Sequence, residues 1–226
     1  VQYKRMYLDT LECAGRIYAI GGGVQLLPQK LRSSLLQIDG EPVAELDYSA
    51  IHPNICYQFK LKGGMDVRYP MGEDFHPYNA DLSFVKIDED KKKEWESLTG
   101  KKCNPLRELS KLSILIGINS VDIVSARGAM SYKIAQDKRE PIEDQKFYCL
   151  EPRIHVGDIL KAVQEHNSFI AEHFFSDKGV HLQNIDSEIM MKTIDMMCQL
   201  GHTVLAYHDS CVVKQSAEQD LRNSMI

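Results

Sequence analysis

The sequence predicts an α+β fold built on an antiparallel sheet, and two observations lead to this prediction. The candidate elements run as a strand, several helices, a short hairpin and a last helix, rather than as alternating strands and helices. The 226 residues are 43% hydrophobic and 26% charged, as is typical of a globular protein. No apolar run approaches the ~20 residues of a membrane helix, so we expect a protein that does not contact a membrane.

The first third of the chain contains two strand patterns. Residues 15–20 form a short apolar run that ends at three consecutive glycines, which indicates a hairpin. In Val43–Tyr48 the side chains alternate in character, so that Glu45 and Asp47 share one face of a strand. We therefore expect a strand that presents Asp47 at its end.

The middle of the chain begins irregularly and then predicts a helix. The charge run Asp88–Lys93 indicates a solvated face or a mobile insertion, and we assign no chemistry to it. Asn104-Pro105 is an N-cap followed by proline at the first helical position. An apolar helix is therefore predicted over 105–118.

The last third predicts two amphipathic helices, over 156–175 and 185–200, followed by two short strands. The strands are separated by His208-Asp209, a connection of the length that favours a two-residue hairpin. Ser216, with a glutamine three residues later, is typical of a capping box at the start of a final helix.

Charge and cysteine content limit the classes of function. The net charge of −5 excludes a uniformly basic clamp for nucleic acid, although residues 86–139 carry 12 basic against 8 acidic side chains. The six cysteines are scattered and form no C-x-x-C pair, so we expect free thiols and a reduced, cytoplasmic location. The sequence shows no signal peptide, and it starts without methionine, which leaves open whether it is a fragment.

Two aspartates and two cations suggest a phosphate chemistry. Asp47 and Asp209 each follow a strand pattern, and two converging carboxylates are the hard oxygen ligands that Mg²⁺ prefers. Arg107 and Lys111 lie four residues apart on one helix face and are suited to holding a triphosphate. Each residue also has an ordinary interpretation: Asp47 as a helix N-cap, Asp209 as a turn residue, and the two cations as solvated surface side chains.

These residues resemble motifs of the single-subunit phage and mitochondrial RNA polymerases and of the family A DNA polymerases. The matches occur in the family's order, and the chain is similar to a minimal bacterial or mobile-element relative. The matching segments are Gly15-Arg16-Ile17-Tyr18, for a stretch before the first palm motif; Leu46-Asp47-Tyr48-Ser49, for the first palm motif; Arg107-x3-Lys111, for the fingers helix; Leu182-Gln183-Asn184-Ile185-Asp186-Ser187, for a glutamine-containing segment before the last palm motif; and Tyr207-His208-Asp209-Ser210, for the last palm motif.

The resemblance implies a polymerase-type palm with an antiparallel sheet and a short helical fingers insertion. It divides the chain into a first palm part (1–60), a fingers-like insertion (61–155) and a second palm part (156–226). It implies two Mg²⁺ ions, with Mn²⁺ as an alternative, and the following roles: metal binding by Asp47, Tyr48 and Asp209; catalysis by Asp47, Asp209 and Lys111; nucleotide binding by Arg107, Lys111, His52, Asn119 and Tyr48; and primer or template contact by His208, Gln183 and Arg16.

Two positions depart from the family pattern. Asn119 stands where the fingers motif has a tyrosine, and His52 stands where the DNA polymerases have a glutamate and the RNA polymerases a glycine. The choice between ribo- and deoxyribonucleotides is therefore open.

The function that these features predict is template-dependent nucleotidyl transfer by a minimal DNA or RNA polymerase, or a primase-like enzyme. The expected partners are nucleoside triphosphates, a nucleic acid template or primer, and an accessory protein or additional domain, since the chain is too short for a large clamp. One alternative is nucleotidyl transfer to a protein, a tRNA or a small molecule. Another is a non-catalytic, polymerase-like subunit that binds nucleic acid.

Overall fold

The structure, a computed structural model, describes residues 2–21, 23–60, 74–207 and 209–225. It has a mixed α+β architecture with small antiparallel sheets, so the predicted class is confirmed. The chain forms two compact units: a split unit, Val1–Ile55 with Val180–Ile226, and a central unit, Cys56–Gly179. Residues 156–179 therefore belong to the central unit, whereas the resemblance places them in the second palm part, 156–226.

The split unit begins with a two-stranded antiparallel hairpin, β1 (Tyr3–Leu8) and β2 (Thr10–Ala19). The strand expected over 15–20 is confirmed, but its partner precedes it. The chain reverses at Asp9, whose φ of 54° is a left-handed conformation that aspartate tolerates better than most residues. The glycines after β2 lead instead into a 3₁₀ turn, Gly23–Leu26.

A four-stranded sheet forms the centre of the split unit. Its strands are β3 (Gln37–Ile38), β4 (Glu41–Asp47), β5 (Leu205–Tyr207) and β6 (Ser210–Lys214), and their order across the sheet is β3-β4-β6-β5. All three pairings are antiparallel. The strand predicted before Asp47 and the two-residue hairpin at 208–209 are both confirmed.

Helices α1 (Gln29–Leu35), α7 (Gly179–Gln199) and α8 (Glu218–Ser224) belong to the split unit. Helix α2 (Ile51–Lys60) begins in the split unit and continues into the central unit after Ile55. Helix α7 starts six residues earlier than predicted. The apolar core of the split unit joins β2, α7, the sheet and α8, and contains Ile17, Met190, Met197, Val204, Ala206, Cys211, Val213, Ala217 and Leu221.

The expected capping box at Ser216 is wrong. The backbone N–H and the hydroxyl of Ser216 donate to the two carboxylate oxygens of Glu41, at 2.7 and 3.0 Å. Ser216 therefore lies in a 3₁₀ turn, and Ala217 occupies the N-cap position of α8 without a capping side chain. These hydrogen bonds also lower the pKa of Glu41. Ser216 therefore bonds to Glu41, which is distant in sequence, instead of capping α8.

The central unit is helical. It contains α3 (Glu89–Thr99), α4 (Pro105–Asn119), α5 (Ile123–Asp137) and α6 (Val156–His166), and the last three pack against one another. The helix start at Asn104-Pro105 is confirmed, with the Asn104 side chain accepting from the Arg107 backbone N–H at 3.2 Å. Helix α3 buries none of its residues, as expected of a solvated charge run.

The single helix predicted over 156–175 is interrupted at Asn167. Its buried side chain donates to the carbonyls of Val163 and Pro77 and accepts from the Tyr57 hydroxyl at 3.2 Å. Helix α6 therefore ends at His166, and a 3₁₀ segment, Ser168–His173, follows. In the described ranges of the chain, no helix combines the length and apolar character needed to cross a bilayer.

Candidate functional site

The sheet of the split unit brings Asp47 and Asp209 next to each other along the backbone. Asp47 is the last residue of β4 and pairs with Ser210, the first residue of β6. Immediately beyond this pair, the Tyr48 N–H donates to the Asp209 carbonyl at 3.2 Å. Asp209 lies in the turn between β5 and β6, so strand alternation does not fix its side chain. Two aspartates 162 residues apart in sequence thus meet at one end of the sheet.

Tyr48 directs its side chain away from this end and into the core. Its hydroxyl lies 2.9 Å from the Thr193 hydroxyl on α7, and its ring packs against the core cluster. Burial raises the pKa of the Tyr48 phenol above its ordinary value. Because the Tyr48 side chain packs in the core and its hydroxyl is hydrogen-bonded, the backbone carbonyl is the group of Tyr48 that is suited to metal binding.

A buried ion pair supports both sides of the 208–209 turn. The Arg32 guanidinium, in a residue only 3% exposed, donates to both carboxylate oxygens of Glu45 at 2.6 and 3.2 Å. The same guanidinium lies 3.5 Å from the ring centroid of Tyr207, the residue before the turn. Glu45 accepts from the hydroxyl of Ser210, the residue after the turn, at 3.1 Å. We call Arg32, Glu45, Tyr207 and Ser210 the hairpin clamp.

The sequence gives only a weak signal for this clamp. Glu45 stands at a strand position on the same face as Asp47, which could have marked it as a residue of the site. Arg32 lies in α1, where a basic residue is unremarkable. The partnership depends on tertiary packing and not on spacing along the chain.

His52, expected to bind the nucleotide, faces a carboxylate to which the resemblance gave no role. Its Nε2 lies 3.5 Å from Asp186 Oδ2, and the two side chains are only 11% and 7% exposed. Among the described residues, neither His52 Nε2 nor the other Asp186 oxygen, Oδ1, has a hydrogen-bond partner. His52 is at the start of α2, five residues after Asp47, and it forms with Asp186 a buried polar pair that has unused hydrogen-bonding capacity.

Arg16 and Gln183, the residues expected at the primer or template, lie on neighbouring elements of the split unit. Both are half-buried, Arg16 in β2 and Gln183 in the first turns of α7. Gly15, next to Arg16 in β2, has a φ of 83°, and its carbonyl accepts hydrogen bonds from Arg5 Nε and the Ser187 hydroxyl. The Gly-Arg sequence thus anchors β2 to α7. His208 lies outside the described residues.

Arg107, Lys111 and Asn119 belong to the central unit and lie along α4. Arg107 lies over the ring of Tyr78 at 5.2 Å, and Lys111 is exposed. Lys111 lines two adjoining cavities of 510 and 370 Å³ together with Lys146, Glu108 and acidic side chains of the 137–144 region. These linings carry both charges. Because Lys111 is exposed and Arg107 is half-buried, Lys111 is the more accessible cation of the pair.

Asn119 closes the end of α4 rather than standing free. Its side chain donates to the Leu115 carbonyl at 2.7 Å, and it leaves no room for a β-carbon at Gly179. The N–H groups of Phe175 and Lys178 donate to the carbonyls of Gly117 and Ile118. The segment after the 3₁₀ turn therefore satisfies carbonyls that a helix end would leave unpaired.

The donor set at the end of the sheet fits a hard divalent cation. Two carboxylates and a backbone carbonyl provide oxygen ligands only, and the side chains are accessible, with Asp47 exposed and Asp209 half-exposed. Within residues 2–21, 23–60, 74–207 and 209–225, no cluster of three or more His, Cys, Asp or Glu side chains could hold a metal. Mg²⁺ does not need such a cluster, because it keeps waters and substrate phosphates in its shell.

Comparison of the sequence with models of known protein families and with curated proteins finds no match.

Proposed function

We propose that the chain is a nucleotidyltransferase of the polymerase type, with a palm formed by the sheet of the split unit and fingers formed by the central unit. The observation that supports this most strongly is the pairing of β4 with β6, which joins the end of the Asp47 strand to the 208–209 hairpin. The motifs around both aspartates resemble the two metal-binding motifs of that family. The fingers assignment relies on Arg107 and Lys111 in α4.

Each residue has a defined task in this proposal. Asp47, Asp209 and the Tyr48 carbonyl would hold divalent cations, which would supply charge stabilisation for the attacking 3′-hydroxyl and the leaving pyrophosphate. Arg107 and Lys111 bind the triphosphate, and Lys111 donates a proton to the leaving pyrophosphate. The Arg32–Glu45 pair keeps the hairpin that carries Asp209 in place.

Nucleotide incorporation tests the proposal. The protein is incubated with Mg²⁺ or Mn²⁺ and labelled ribo- or deoxyribonucleotides, on primed template, on unprimed single strands and without nucleic acid. Asp47→Ala and Asp209→Ala should each lower incorporation about 1,000-fold, the equivalent of several kcal/mol of lost charge stabilisation. Asp195→Ala is the matched control, because Asp195 is an exposed aspartate of α7 that pairs with Gln199 at i+4.

The outcomes separate the candidate functions. Template-dependent incorporation that both site variants lose supports the proposal. Label on the protein itself, or addition that ignores the template, favours transfer to another acceptor. Wild-type protein that incorporates no more than Asp47→Ala under any of these conditions contradicts the proposal.

A further inference from the structure

Two thiols of the central unit are in contact. The Sγ atoms of Cys103 and Cys149 lie 3.0 Å apart, although 46 residues separate them in sequence. Cys149 is fully buried and Cys103 is half-buried. No other pair of cysteine sulfurs in the described ranges lies within hydrogen-bond distance, and all six cysteines are free thiols.

Backbone hydrogen bonds hold both cysteines in position. The Cys103 N–H donates to the carboxylate of Glu96, on α3, at 2.9 Å. The Cys149 carbonyl accepts from the Asp88 N–H at 2.8 Å, beside an antiparallel bridge between Ile87 and Leu150. A disulfide would require the sulfurs to approach by about 1 Å, which is less than side-chain torsions can supply. The backbone would therefore need to move little.

We propose that Cys103 and Cys149 are an oxidation site that forms an intramolecular disulfide when the protein meets a peroxide. Cys103, the more exposed thiol, attacks the peroxide oxygen and becomes a sulfenic acid, releasing one water. The Cys149 sulfur then displaces the hydroxyl of this sulfenic acid, forming the S–S bond and a second water. Two thiols thereby lose two electrons and two protons, and the peroxide is reduced to water.

The crosslink would act on the start of α4. Cys103 immediately precedes Asn104, the N-cap of this helix, and it lines the 370 Å³ cavity together with Lys111. The closed loop would contain α4 and α5. Burial, and next the contact with the Cys149 sulfur, raises the pKa of the Cys103 thiol, so we expect slow oxidation compared with an exposed thiol. The proposal does not depend on polymerase activity.

Peptide mapping under non-reducing conditions tests the proposal. Purified protein is treated with hydrogen peroxide, the remaining thiols are alkylated, and the masses are compared with a sample kept in reductant. We expect a crosslinked peptide pair that contains Cys103 and Cys149 and is two mass units lighter than the two reduced peptides together, whether or not the exposed Cys198 is also oxidised. Oxidation should raise the midpoint of thermal unfolding by about 5 °C, and a reductant should reverse the shift.

Variants provide the controls. Cys103→Ser and Cys149→Ser should each abolish the crosslink and the thermal shift, whereas Cys198→Ser, at an exposed free thiol, should keep both. If a serine variant does not fold, the mapping of wild-type protein decides alone. Oxidation of Cys198 without a Cys103–Cys149 peptide, or a crosslink that persists in Cys103→Ser, would overturn the proposal.

Discussion

Replacing Arg32 with methionine would remove the cation from the centre of the hairpin clamp. Methionine has nearly the length of arginine and keeps the apolar stem, so Arg32→Met chiefly deletes the guanidinium. The Glu45 carboxylate, whose side chain is only 16% exposed, then loses two hydrogen bonds and its counter-charge. The ring of Tyr207 also loses its cation, and the Leu27 carbonyl loses a donor at 2.7 Å.

The expected cost follows from these contacts. Breaking a buried ion pair by removing one partner costs about 3–5 kcal/mol, because the remaining charge is uncompensated. Glu45 keeps the hydrogen bond from the Ser210 hydroxyl and some access to water, so we expect about 3 kcal/mol for Arg32→Met. In the double variant with Glu45→Met no charge is left unpaired. We therefore expect that variant to lie within about 1 kcal/mol of wild type.

Urea unfolding followed by circular dichroism at pH 7 measures both values. The double-mutant cycle isolates the coupling between the two side chains, which should be at least about 2 kcal/mol in favour of the pair. Arg32→Lys is the second control, since lysine keeps the charge but not the planar fork. A cost below about 1 kcal/mol for Arg32→Met, or a double variant that loses the sum of both single effects, would refute the reasoning.

The remaining predictions concern backbone strain, pH and nucleotide affinity. Gly15→Ala should destabilise the fold by about 2–4 kcal/mol, because it adds contacts at 2.9–3.0 Å to the left-handed penalty. Gly201→Ala, at a φ of 83° in open space, should cost only about 1 kcal/mol in the same urea titration. The pKa of His173 is lowered, chiefly by burial, so protonation favours the unfolded chain. The unfolding free energy should therefore fall as the pH drops below about 6.5, with a shallower slope in His173→Asn, and equal slopes would contradict this. Lys111→Ala should raise the KM for nucleotide about tenfold or more by removing a charge-assisted contact, whereas Lys161→Ala, at an exposed lysine of α6, should not; equal effects would argue against a triphosphate site on α4.

Elements with strong local signals could be predicted from the sequence. Strand β4 alternates in hydrophobicity, the 208–209 connection has the length of a two-residue hairpin, and α4 begins at an N-cap followed by proline. Each signal lies within a few residues, and each element forms as expected. The adjacency of Asp47 and Asp209 then follows from the pairing of β4 with β6.

Contacts between distant residues could not be predicted in this way. His52 and Asp186 are separated by 134 positions, and neither has a local feature that identifies the other. Ser216 has Gln219 three residues later as a possible capping-box partner, yet it donates two hydrogen bonds to the carboxylate of Glu41 instead. Asn167 likewise ends α6 through partners that only the tertiary structure provides. For Ser216 and Asn167, hydrogen bonds to residues distant in sequence decide the local structure.

Binding of Mn²⁺, measured by electron paramagnetic resonance, tests most directly whether Asp47 and Asp209 form one metal site. Wild-type protein is titrated with Mn²⁺ in the presence of a nucleoside triphosphate and compared with Asp47→Asn, Asp209→Asn, the double variant and Asp195→Asn. The shared site predicts that either substitution weakens binding at least about tenfold and that the double variant loses little more, while Asp195→Asn binds like wild type. Unchanged Mn²⁺ affinity in Asp47→Asn or Asp209→Asn would contradict the account.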